Sequence, residues 1–131
     1  MRFIDNVASY LDTNNIGTVA TDLFIGILPP TPDNAIMVDY TGGLEPDRYA
    51  PIRKLTVQTT VRNTDYDDGY DKIQAIFDLL HRKLDDVELE VGGVDVMEIM
   101  ALQEPTFIGQ DETNRYVFTC NFLFMVRGDV A

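Results

Sequence analysis

The sequence predicts an α+β fold: a mostly antiparallel sheet of about four to six strands, with an N-terminal helix and one long helix packed on one face. Three observations predict it. Leu55, Val57, Thr59 and Val61 alternate with Lys54, Thr56, Gln58, Thr60 and Arg62, a period of two that gives a strand one packed and one polar face. The period then changes, and Tyr70, Ile73, Phe77, Leu80 and Leu84 recur at spacings of three and four, as on a helix lying on a core. Near the end of the chain Tyr116, Phe118, Cys120, Phe122, Phe124 and Val126 alternate again. Only a short turn, Val61 to Asp65, separates the first strand from the long helix, so the helix must fold straight back on its own sheet.

Taken in order, Phe3, Ile4, Val7, Ala8 and Leu11 make a short helical stripe that ends near Asn14-Asn15. Leu23 to Leu28 is a brief apolar run stopped by Pro29-Pro30, which reads as a strand. Residues 29–34, PPTPDN, form a turn, and Ala35 to Tyr40 a second strand. Thr41 to Pro51, with paired glycines and two prolines, is a loop. Asp65 occupies the N-cap position of the long helix, with Asp67 and Asp68 in its first turn and His81, Arg82 and Lys83 expected in its last, all favourable to the helix dipole. Asp68–Lys72 and Asp78–Arg82 are spaced as helical ion pairs. Gly69 falls on the apolar face, where it costs roughly 1 kcal/mol against alanine; close approach of helix to sheet is the expected reason. Val87–Val91 and Val94–Leu102 flank Gly92-Gly93 as a hairpin. Residues 106–113 are a connection, with Phe107 and Ile108 tucked under the core. The last strand carries several apolar residues on its second face too, and is central or partly covered by a neighbouring subunit.

At 131 residues the chain reads as a single domain, 1–131, with one core. Its net charge of −12 argues against gripping duplex DNA or an anionic membrane, which both need a basic surface. A protein that surrounds DNA without holding it is compatible with that charge. The one cysteine, Cys120, excludes an intrachain disulfide and points to a reducing compartment. The opening MRFIDNVASYLD lacks the apolar segment of a signal peptide, and no apolar run approaches the roughly 20 residues that span a bilayer.

Catalytic equipment is not apparent. Ser9, His81 and Cys120 are the only residues of their types and fall on a helix, a helix end and a strand, so neither a Ser-His-Asp nor a Cys-His arrangement is expected. His81 reads as a helix C-terminal cation and Cys120 as a small core hydrophobe. No phosphate-cradling or dinucleotide motif occurs. A calcium loop starting at Asp65 fails, because its sixth position is Tyr70 and its twelfth Ile76. No cofactor and no metal are expected. The bare physical reading is a soluble acidic α+β domain with a structural or interaction role.

The run IRKLTVQTTVRNTDYDDGYDKIQAIFDLLHRKL, Ile52 to Leu84, resembles the small neck proteins of long-tailed bacteriophages, the tail terminators, also called minor capsid proteins. Their pattern is a strand ending in a V-x-V-x-x-R-like run, an acidic-aromatic turn, and a helix closing in I-x-x-x-L. Val57, Val61, Arg62, Asp65, Tyr66, Tyr70, Ile76 and Leu80 carry it here. The resemblance covers most of the chain through patterning and turn chemistry, not through catalytic residues. It implies a non-enzymatic virion protein of neck or tail, made in the host cytoplasm. Copies would form a ring, usually a hexamer, that caps the tail tube and joins it to the head connector or a head-completion protein, with DNA passing through unbound. The alternatives are a different neck or head-completion protein and, further off, a small acidic ligand-binding domain or enzyme.

The candidate subunit or partner interface is Arg62, Glu90 and Asp95. In the hairpin register set by Gly92-Gly93, Glu90 faces Asp95, and like charges directly opposite are destabilising. Either the register differs, or the tip splays into water, or something basic meets it. On a neighbouring copy the candidate cations are Arg48, Arg53, Lys54 and Arg62, with Arg62 best placed at a strand end. An acidic tip that only keeps the subunit soluble is the competing reading.

Overall fold

The computed structural model describes residues 2–45, 47–81, 83–91 and 94–127, and for 83–91 and 94 the main chain alone. Its elements are α1 (Phe3–Thr13), β1 (Leu23–Ile25), β2 (Ala35–Gly43), β3 (Ile52–Asn63), α2 (Tyr66–Leu80), β4 (Lys83–Val91), β5 (Val94–Ala101), β6 (Thr106–Gln110) and β7 (Tyr116–Arg127). The strands form one sheet in the order β1-β2-β3-β7-β5-β4, with β6 also paired to β7. Every pairing is antiparallel except β1 with β2. The α+β architecture read from the sequence is therefore present, with β6 added to the strands expected.

The longest pairing joins β3 to β7, from Ile52 opposite Arg127 to Asn63 opposite Tyr116. Alternation along both strands sends Leu55, Val57, Thr59 and Val61, and Phe118, Cys120, Phe122, Phe124 and Val126, to one buried face. Both helices pack there: α2 touches β3, β7 and β5, while α1 touches β1, β2 and β4. An eleven-residue helix is about 16 Å long, and five strand spacings are about 24 Å. Contact with both ends of the strand order requires the sheet to curl around α1. Phe3 sits in that curl, with its ring edge-on to Phe124 at 5.4 Å and to Tyr40 at 6.2 Å.

The N-cap reading of α2 is confirmed: the Asp65 side chain accepts the Asp68 N–H at 3.0 Å. Gly69 also has the expected cause. A Cβ there would stand 2.7 Å from Cε1 of Phe118 and 3.1 Å from the Asn63 Cβ. At this point helix and sheet meet too closely for any side chain.

Several expectations are corrected. The helix stops at Leu80, not Leu84, and Lys83 already belongs to β4, so no basic residue occupies the last turn. Leu84 keeps the helical spacing from Leu80, but it lies opposite Glu98 in the sheet. His81 ends the helix as an acceptor: its Nδ1 takes the Ala101 N–H at 3.0 Å while its ring stacks on Phe77 at 4.6 Å. The expected place within the last helical turn is corrected, because His81 is the residue just past the helix. The buried face of α2 is Gly69, Ile73, Ile76 and Leu80, which leaves Tyr70 exposed and Phe77 half-buried. Lys72 reaches the Ile16 carbonyl at 2.9 Å, and Asp78 accepts from Gln74; Arg82 lies outside the described residues. The first strand covers only Leu23–Ile25, and β2 runs on through Gly43 past an irregularity at Tyr40. Residues 106–110, expected as a connection, pair with β7, and Phe107 and Ile108 are exposed.

Two measurements check this packing. Gly69→Ala gains about 1 kcal/mol of helix propensity but forces overpacking worth about 1–3 kcal/mol, so urea denaturation is expected to show net destabilisation. Leu80→Ala is expected to cost about 2–5 kcal/mol. Phe77→Ala should cost less, and the exposed Asp78→Ala under about 0.5 kcal/mol. The opposite ranking would place the helix in the wrong phase.

Candidate functional site

Arg62 is at the sheet corner where β3 ends, but its guanidinium points inward. It is only 4% exposed. Its Nε donates to the Asp33 carbonyl at 3.1 Å, and one terminal nitrogen donates to the carbonyls of Pro29 at 2.6 Å and Pro32 at 2.5 Å. Burial, and then the positive charge of Arg115, pull its pKa down from the ordinary arginine value. Arg115 grips the same loop from the neighbouring strand end, donating to the Pro30 carbonyl at 2.7 Å and pairing with Asp33 at 3.3 Å. The Asp111 carboxylate orients Arg115 at 2.8 Å and takes its main-chain N–H and that of Thr113. Those main-chain bonds are the chief reason its pKa is lowered to about 2. Two arginines thus fix the 29–33 loop by its main chain, a planar-fork role that lysine cannot fill.

The hairpin register is the one expected, Glu90 opposite Asp95, although Gly92-Gly93 themselves lie outside the described residues. Asp95 Oδ2 lies 4.0 Å from Arg127 of its own chain. Its Oδ1 is buried and has no hydrogen-bond partner among the described residues. The hairpin tip is at the Arg127 end of β7, since Val96 pairs with Val126, whereas Arg62 pairs with Val117 near the other end. The structure therefore brings Glu90 and Asp95 together and leaves Arg62 far from them within one subunit.

The sequence reading missed an exposed aromatic cluster beside β6. Tyr66 lies 5.3 Å from Phe107, 5.6 Å from Tyr116 and 5.2 Å from Phe118, and Tyr70 borders the same Phe118 at 6.4 Å. Tyr66, Tyr70 and Phe107 are all exposed at their outer edges. The acidic-aromatic turn was the available signal, but it gave no indication that Phe107 would join it across the sheet. A separate groove of about 420 Å³ lies between the start of α1 and β2–β3, lined by Phe3, Tyr40 and Leu55 with Arg2, Asp39 and Arg53 at its rim.

Cys120 and the acidic side chains show no grouping for chemistry among the described residues. Cys120 is buried with its sulfur against the Gln103 carbonyl, and burial pushes its thiol up to about 11, so it stays protonated. Among the described residues no three His, Cys, Asp or Glu side chains are grouped to hold a metal. No described helix is long and apolar enough to cross a membrane.

The architecture belongs to a known structural class. A family model for the bacteriophage tail terminator protein matches residues 10–126. The chain belongs to that family, and it is a structural, non-enzymatic component of the virion tail. No curated protein matches it. Among solved structures it is similar to a chain of the virion of a native gene transfer agent particle: 12% identity, 97% of this chain and 96% of that one covered, TM-score 0.63. A second solved chain is 13% identical, with 99% and 94% covered and a TM-score of 0.55. At these identities the likeness is one of fold.

The arginine clamp gives a prediction. Arg62→Ala leaves three loop carbonyls without their donor, each worth about 1–3 kcal/mol if buried, and Arg62→Lys restores little of that. Limited proteolysis is expected to cut residues 26–34 faster in both variants. Asp111 has a folded pKa below the ordinary carboxylate value, so its contribution is present above about pH 4 and lost as the pH falls through about 2. An NMR titration of its carboxyl carbon is expected to place the midpoint near 2.

Proposed function

We propose that copies of this chain form a ring, six-membered as in the resemblance, on the head-proximal end of the tail tube. The ring stops tube growth and presents the joining surface for the head connector or a head-completion protein. The family match over residues 10–126 carries this reading. The net charge of −12 supports the accompanying role of an open passage, because a wall with few free cations releases no condensed counterions from DNA and does not hold it.

The hairpin tip is a proposed partner contact. Among the described residues one Asp95 carboxylate oxygen has no hydrogen-bond partner and the other lies 4.0 Å from Arg127, a site that a cation from outside the subunit would complete. Arg62, at the other end of the sheet, would take no part in that contact and would shape a separate surface through the loop it holds. Glu90→Lys is expected to weaken assembly while the monomer keeps its melting temperature, and added salt to weaken wild-type assembly. Assembly indifferent to both would leave the tip as ordinary solvated surface.

Termination is tested directly with purified tube protein. Tubes growing in the presence of this chain are expected to stop at a capped end, and virions assembled without it to carry tails of uncontrolled length that join no heads. Tails of normal length without the protein would move it to another layer of the neck.

A further inference from the structure

The loop between β2 and β3 is built to present an aromatic ring and a cation. Its ends are pinned, with the Leu44 N–H on the Lys54 carbonyl at 2.9 Å and the Asp47 N–H on the Ile52 carbonyl at 3.1 Å. The Asp47 carboxylate takes the N–H groups of both Tyr49 and Ala50, at 2.8 and 2.9 Å, which fixes the turn. Tyr49 is thereby held 91% exposed, beside the exposed Arg48. Five of the other described cations have uses within the subunit: Arg2 pairs with Asp5, Lys72 bonds the Ile16 carbonyl, Arg62 and Arg115 hold the proline loop, and Arg127 lies by Asp95. Arg53 and Lys54 are half-buried in β3.

At the opposite end of β3 is the complementary surface. The aromatic cluster of Tyr66, Tyr70 and Phe107 is rimmed by Asp67 and Asp71, which share one exposed helix face with Tyr70. Beside it β6 pairs only with β7, so its outer edge carries unpaired main-chain groups among the described residues. Eleven residue steps along β3 separate the two surfaces, about 36 Å. An exposed ring beside a cation, Tyr49 and Arg48, at one end and an acidic aromatic patch at the other cannot meet within one subunit. They are the two unlike halves that a head-to-tail contact requires.

We infer that Arg48 and Tyr49 of one copy dock on the Tyr66, Tyr70 and Phe107 patch of the next, with Arg48 facing Asp67 and Asp71. The occupant is a second copy of this chain. Tyr49 adds a ring edge to an existing cluster, and Arg48 supplies the charge that the patch lacks. This rests on the ring proposed above and names its subunit contact.

The test uses two full-length variants. Arg48→Glu/Tyr49→Ala removes the projection, and Asp71→Lys/Phe107→Ser removes the patch. Light scattering is expected to give a ring for the wild type and a monomer of 14.8 kDa for each variant. Mixed one to one, the variants retain a single intact contact per pair and are expected to form a dimer, never a ring. A variant that still assembles like the wild type, or a mixture that forms no dimer, overturns the contact. The single charge variants Arg48→Glu and Asp71→Lys, both at exposed positions, are expected to shift wild-type assembly to higher protein concentration even if the Phe107 change unfolds the chain; no shift overturns the inference. The outcomes also separate the two proposals. A wild-type ring untouched by the variants overturns this contact alone, a wild-type particle of only two copies that the variants split overturns the ring alone, and a wild type that stays monomeric overturns both.

Discussion

Twelve residues of β3 run antiparallel to twelve of β7 without a break in register, and the remaining elements take their places from that ribbon. Its buried face supplies the large aromatic side chains of the core, Phe118, Phe122 and Phe124. Its two long edges accept β2 on one side and β5 with β6 on the other. Its ends set the distance between the β2–β3 loop and the aromatic patch. Apolar core residues of one strand face apolar core residues of the other, as Val57 with Phe122 and Leu55 with Phe124, so pairing and burial reinforce one another. A one-residue slip of either strand would turn its core row outward, which fixes the register strongly.

The parts legible in the sequence are those where a single local rule dominates. The alternation in β3 and β7, the stripe of α1, the Asp65 cap and Gly69 were all readable because burial, capping and close approach each leave a residue-level mark. The end of α2 was not, because Leu84 satisfies a helical spacing and a strand equally well and the choice is made by Ala101, twenty residues past His81 in sequence. The phase of α2 was also misjudged around Tyr70 and Phe77, since aromatic residues count as core in a pattern while the patch and the His81 stack use them at the surface. For β6 the obstacle was its composition: five residues with a glycine irregularity carry too little alternation to announce a strand. Of the candidate contact residues, the Glu90–Asp95 register followed from the glycine pair. The burial of Arg62 could not be seen, because its partners are main-chain carbonyls of a loop about thirty residues away.

The absence of chemical machinery in the sequence reading agrees with membership of a structural family. The three residues that could have suggested catalysis have ordinary employment: Ser9 lies on α1, His81 accepts the Ala101 amide, and Cys120 fills core volume. What the fold specialises instead is surface. The helices cover one face of the sheet, and the loops and strand ends carry the exposed aromatic and charged groups.

The grip of Arg62 and Arg115 on the loop at residues 29–33 is mostly a grip on carbonyl oxygens. Every amino acid has that oxygen, so the clamp reads the path of the chain and is largely indifferent to the outward side chains. The loop can be rewritten on its solvent side while its shape is held from beneath. Two fixed arginines turn this corner of the molecule into an interchangeable face on a constant frame.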